Sequence, residues 1–226
     1  MGRRIGIFYN DDGGLSYGEF SDIAAGSDVV DTADHVNAAC RALGFETTLV
    51  PVPRDPWVLS DHVRRCDSEV IFNLCESLAG DSRLEAAAAW IFELASVPYT
   101  GSHPFTLSLS LHKPVAKAFL ASCGIPVPHG TVAESPDVRM DDLRFPVIVK
   151  PSREDASHGI TVDSVAADAS AARDRAAYVI QQYKQPALIE EYIDGREINV
   201  AIIGHAATAR VLWRVGGGRY RDERDV

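Results

Sequence analysis

Cysteine is sparse in this 226-residue chain: four residues, Cys40, Cys66, Cys75 and Cys123, with no Cys-x-x-Cys pair. That scatter excludes a disulfide framework and a zinc knuckle, and it fits a reducing cytoplasm. Basic charge is also short, with 22 Lys and Arg against 32 Asp and Glu and a formal net charge of −10. Proteins that neutralise nucleic-acid phosphates carry the opposite balance, so nothing more than a local basic pocket is expected. No apolar run approaches the roughly 18 residues that span a bilayer, and the stretch 5–9 behind Arg3 and Arg4 is too short for a signal-peptide core. The expectation is a soluble cytoplasmic protein without nucleic-acid or membrane partners. There is no internal repeat.

What is present is ordinary globular composition, 46% hydrophobic and 24% charged, long enough for one large domain or two small ones. The first third alternates strand and helix signals. Residues 4–9 read as a strand ended by the turn-rich segment 10–14. Val29, Ala33, Val36, Cys40 and Leu43 follow at helical spacing, with Gly44 as a stop. Residues 45–52 and 69–74 read as further strands, and 57–66 and 84–94 as helices. Strand, helix, strand, helix, strand implies a small parallel sheet with right-handed crossovers.

After Gly101 the pattern changes. A helix is predicted over 109–122, stopped by Gly124, and two prolines hold 125–128 extended. Strands are predicted at 146–150, 159–162, 187–190, 198–203 and 209–213, with one Ala-rich helix at 168–182. Strands around a single helix form an α+β layer, so a boundary is placed near residue 103.

Three stretches carry chemistry. Lys150 ends an apolar strand and is followed by a polar loop with Ser152, Ser157 and Gly159, in which small residues let backbone N–H groups approach phosphate oxygens. In 188–203 two apolar strands flank an acidic turn that gathers Glu190, Glu191 and Glu197, where a carboxylate could bind ribose hydroxyls and backbone beside Ile193 could read an adenine edge. Lys113 and Lys117 share a helical face at i,i+4, which repels unless an anion or a carboxylate compensates.

Taken in order, Tyr-Thr-Gly-Ser at 99–102, the helix with Lys113, Gly-Ile-Pro-Val-Pro at 124–128, Phe-Pro-Val-Ile-Val-Lys-Pro-Ser-Arg-Glu at 145–154 and Ile-Glu-Glu-Tyr-Ile-Asp-Gly-Arg-Glu at 189–197 resemble the D-alanine:D-alanine ligases of the ATP-grasp superfamily. The resemblance implies an α/β fold: a small parallel-sheet pre-ATP-grasp domain over 1–103, then an α+β ATP-grasp unit over 104–226 that lacks its C-terminal part. It implies ATP as cofactor, with Lys113 and Lys150 on the phosphates and Ser157 in the mobile flap. Glu190 would lie near the adenine amino group, Glu191 beside it, Ile193 on the ring and Glu197 on the ribose. The implied reaction joins a small amino-acid-like carboxylate to an amine through an acylphosphate, without a nucleophilic side chain. The alternative is a non-catalytic ATP-binding module or truncated pseudoenzyme.

Two departures stand out. Asn73 and Glu76 fall where the resemblance expects a His-Gly pair that meets substrate, and the loop 10–17 has no counterpart to the family's amino-acid-binding glutamate. The family's Mg²⁺ ligands are expected to be absent from this chain, because Asp222, Glu223 and Asp225 alternate with arginines and read as a solvated tail. An apolar edge near 198–213 predicts self-association or a homodimer.

Overall fold

The computed structural model describes residues 3–11, 13–19, 28–204, 210–215 and 221–222. It divides into two compact units, residues 1–192 and 193–226. Glu223 and Asp225 lie outside the described residues, as does the first residue of the strand expected from 209.

The first unit opens with a parallel sheet in the order β2-β1-β3, formed by β1 (Arg4–Asn10), β2 (Glu46–Val52) and β3 (Val70–Leu74). The crossovers are the helices α1 (Asp28–Ala42) and α2 (Pro56–Arg65), and α3 (Glu85–Ala95) follows β3. Parallel neighbours need such crossovers, which is why the alternating pattern was diagnostic. Phe8, Val52, Leu59, Ile71 and Phe92 close a core around this sheet, with Phe8 edge-on to Phe92. Cys75 lies just past β3, buried in the same cluster. Leu43, by contrast, is 76% exposed, because the helix ends at Ala42 and Gly44 turns the chain with φ +85.

The stretch expected as one helix over 109–122 is two, α4 (Pro104–Leu111) and α5 (Lys113–Ser122). The break falls at His112, whose φ −83 and ψ 76 are not helical. Pro114 has no N–H to donate and crowds the preceding turn, so the chain must restart with proline in the first turn of α5.

An antiparallel sheet follows in the order β4-β7-β5-β6, from β4 (Gly130–Ala133), β5 (Val147–Pro151), β6 (Val165–Ala166) and β7 (Ala187–Glu191). Helix α6 (Ala169–Tyr183), capped by Asp168 through the N–H groups of Ser170 and Ala171, covers one face. Val147, Val149, Ala172, Ala176, Val179 and Ile189 form that core. The strand expected at 159–162 is absent: the segment is loop leading into a 3₁₀ turn at Val162–Ser164, whose capping box at Thr161 satisfies the backbone locally. The short strands β4 and β6 carried too little periodicity to be read from sequence.

The second unit, described by itself, is an antiparallel sheet in the order β10-β9-β8, from β8 (Ile198–Ile203), β9 (Arg210–Val215) and β10 (Arg221–Asp222). Along β8, Ile198, Val200 and Ile202 project at period two and are 54%, 54% and 65% exposed. The structure thus combines a parallel and an antiparallel layer in a mixed α/β architecture.

Candidate functional site

The site grows from the face of β5 and β7 that α6 does not cover. Val147, Val149 and Ile189 alternate into the core, so Lys150 and Glu190 emerge on the other side. In the antiparallel register Ile148 stands opposite Glu190, which puts Lys150 two residues along the same face. The Lys150 Nζ lies 2.5 Å from Glu190 Oε2. Lys117, one turn into α5, places its Nζ 2.5 Å from the other oxygen, Oε1. Glu190 is only 3% exposed. Burial raises its pKa, but the bonds and charges of Lys117 and Lys150 outweigh burial and hold it below the usual carboxylate range. It pairs directly with Lys117, one of the two lysines at i,i+4, and its charge also favours the protonated form of the other, Lys113.

Gly130 on β4 lies opposite Glu190 at very close range: a Cβ there would sit 2.4 Å from the Ile189 carbonyl oxygen. Only glycine permits this approach of the two strands.

Lys113 opens α5, and its backbone N–H donates to the Ser152 carbonyl at 3.0 Å, tying the helix start to the end of β5. Burial first, and then the charge of Lys150, push its ammonium pKa down to about 8 against the pull of Asp155, Glu154 and Glu190. Two sequence-predicted lysines, Lys113 and Lys150, are therefore close enough to repel, and Lys117 joins them.

The loop after Lys150 is a tight turn. His158 N–H donates to Asp155 O at 2.8 Å, and the central residues Ala156 and Ser157 have φ 45 and 62. Two successive left-handed residues make a type I′ geometry that side chains adopt at a cost of roughly 1 kcal/mol each. Ser157 is exposed at the tip. Gly159 closes the loop with φ 70, where a Cβ would meet Pro151 at 2.7 Å and Tyr183 at 2.8 Å.

On the acidic side stand Glu76, Glu85 and Asp155. Burial, then the charges of Asp155 and Glu76, push Glu85 up to about 7. Desolvation and Asp155 likewise raise Glu76, partly offset by His158. The Asn10 side chain shapes this wall by accepting from the N–H groups of Glu76 and Ser77, at 2.8 and 3.2 Å. The loop 13–19 is held by Tyr17, which bonds Asp81 and Ser82, and by Glu19, which accepts from Tyr178 of α6.

Of the predicted site residues that remain, one lies in the first unit and two in the second. Glu191 leaves β7 on the opposite face and pairs with Arg144 at 2.9 Å. Ile193, 64% exposed, and Glu197 belong to the second unit. Sequence reading passed over Glu154, Ser82 and Gln185, which bond one another although far apart in the chain. Among the described residues no group of three or more His, Cys, Asp or Glu could hold a metal ion.

Comparison with known proteins bears on this arrangement. Residues 119–217 match the family described as D-ala D-ala ligase C-terminus. The uncharacterized protein y4sG of Sinorhizobium fredii is 37% identical over 179 residues, covering 76% of this chain and 52% of that protein. The D-alanine–D-alanine ligase of Trichlorobacter lovleyi is 28% identical over 206 residues, 90% of this chain and 59% of the ligase. That of Paramagnetospirillum magneticum is 31% identical over 177 residues, 75% and 54%. The chain thus spans little more than half the length of these relatives. Among solved structures, the D-alanine–D-alanine ligase of Bacillus anthracis complexed with ATP matches with a TM-score of 0.66 at 18% identity, over 99% of this chain and 71% of that one. Parallel sheet, antiparallel sheet and motif order agree with these matches, and the chain is a D-alanine–D-alanine ligase-like protein of the ATP-grasp superfamily.

Proposed function

We propose that the chain binds ATP over the free face of β5 and β7 and belongs to an ATP-dependent carboxylate–amine ligase. The observation that carries this reading is the convergence of Lys150 and Lys117 on buried Glu190, with Lys113 tied through its N–H to Ser152 at the end of the same strand. Three ammonium groups supply the charge that a triphosphate needs, and the tight turn brings backbone N–H groups near it. Lys113 and Lys150 would meet the phosphates, while Ser157 would close over them. Glu190 would turn from the lysines toward the adenine amino group, with Glu191 next in the strand. Ile193 and Glu197 would serve ring and ribose.

In this reaction a substrate carboxylate oxygen attacks the γ-phosphorus and ADP leaves. The amine nitrogen then attacks the acyl carbon, phosphate departs with its oxygen, and the nitrogen loses a proton. The lysines stabilise charge on the transferring phosphoryl group, so catalysis is mostly positioning and electrostatics. Mg²⁺ would accompany ATP in such chemistry. The acidic wall of Glu76, Glu85 and Asp155 favours the ammonium end of an amino-acid-like substrate over a second anion. The reading also divides function near residue 103 in the sequence, with the parallel-sheet part before it and the ATP-facing part after it, in a cytoplasmic protein.

ADP release measured with D-alanine and a panel of other amino acids, with Mg²⁺ present, tests this. Amino-acid-dependent turnover is expected. ATP binding without turnover for any carboxylate and amine pair would instead support a non-catalytic nucleotide module.

A further inference from the structure

Glu154 is 1% exposed, lies four residues beyond Lys150, and has no task in the reaction as described. Both its oxygens are occupied. Ser82 Oγ donates to Oε2 and Gln185 Nε2 to Oε1, each at 2.7 Å, and His158 Nδ1 lies 3.6 Å from Oε2. Gln185 in turn accepts the Arg153 N–H at 2.6 Å, so the root of the flap is gripped from two sides. One residue earlier, Ser152 donates its N–H to Pro186 O and accepts from the N–H of Lys113. A single buried carboxylate therefore joins the connection before α3, the flap root and the approach to β7, next to the point where α5 begins.

Burying a carboxylate costs several kcal/mol unless hydrogen bonds and charge compensate it, as order of magnitude. Here two donors satisfy its oxygens, and its charge acts on neighbours through a poorly screening interior. We propose that Glu154 is a positioning residue of the nucleotide site: it fixes the flap root, to which the start of α5 at Lys113 is tied, so that ATP affinity depends on a side chain outside the phosphate contacts. The inference rests on the ATP-site reading above. The charged groups acting on Lys113 are Lys150, which opposes its protonation, and Asp155, Glu154 and Glu190, which favour it. Removing one of the three carboxylates leaves burial and Lys150 less opposed.

Titration of the whole chain with a fluorescent ATP analogue across the range from mildly acidic to alkaline pH tests this. The wild-type chain should bind below pH 8 and lose affinity as pH rises through about 8, where Lys113 deprotonates. Glu154→Gln keeps the side chain's shape but not its charge. It should weaken binding about two- to fivefold near that pH and move the decline toward lower pH. Ser82→Ala removes one donor and leaves the charge, so affinity should fall about two- to fivefold. If Glu154→Gln does not fold, as judged by its melting curve, Ser82→Ala carries the test, and unchanged affinity there overturns the inference. Wild-type affinity and pH profile in Glu154→Gln, or a loss without a displaced decline, overturns it while leaving the ATP reading intact. Absence of binding by the wild-type chain overturns both.

Discussion

Glu190 bridges two lysines, and the face it shares with Lys150 sets the outcome of mutating either. Lys150→Ala should abolish nucleotide binding, since Lys117 alone remains paired with Glu190; undiminished affinity in a binding titration would remove Lys150 from the phosphate role. Glu85 makes a different prediction. Its folded pKa is raised to about 7, above that of an unfolded glutamate, so its contribution to stability is present below the unfolded value and lost as pH rises through about 7. Glu85→Gln should therefore leave stability unchanged near pH 4 and raise it by about 1–2 kcal/mol near pH 8, read from urea melts at the two values. Lys150 and Glu190 were legible in the sequence because each ends or edges an apolar strand. Glu154 was not, because its partners lie 72 and 31 residues away and no local pattern announces them.

At the level of elements, the long strands and helices were readable because burial on one face writes a period into the sequence. Where local chemistry overrode that period, the reading failed. Pro114 split a helix whose apolar spacing ran straight through it, and the Thr161 capping box turned an apolar-looking run into a 3₁₀ turn. The turn at 155–158 shows the same priority of backbone over pattern. Ala156 has φ 45 without being glycine. Ala156→Gly should therefore stabilise the chain by roughly 0.5–1 kcal/mol, a rise of about 1–4 °C in melting temperature by calorimetry. A lower melting temperature would mean that the left-handed conformation there carries no strain.

For the whole molecule, the order of the motifs gave the superfamily, while separate cores around the two sheets of the first unit gave the layered architecture. The division into two compact units between residues 192 and 193 had no signature in composition. The apolar row of Ile198, Val200 and Ile202 on β8 predicts association between copies. Gel filtration with light scattering should show a mass above 24.5 kDa that rises with concentration, and replacing Val200 and Ile202 by Lys should reduce it. A monomer at all concentrations would remove that expectation.

The loop 13–19 gives the fold a sequence in time. Glu19 is held by Tyr178, and Gln182 donates to Gly18 O at 2.7 Å, so these partners are separated by 159 and 164 residues. During synthesis the start of the loop can be fastened early to Arg54, Gly80, Asp81 and Ser82, but its end at Gly18 and Glu19 waits for α6, which makes that end among the last segments of the first unit to become protected. A chain ending before residue 178 should be nicked by proteases at 18–19, and the full chain should resist there.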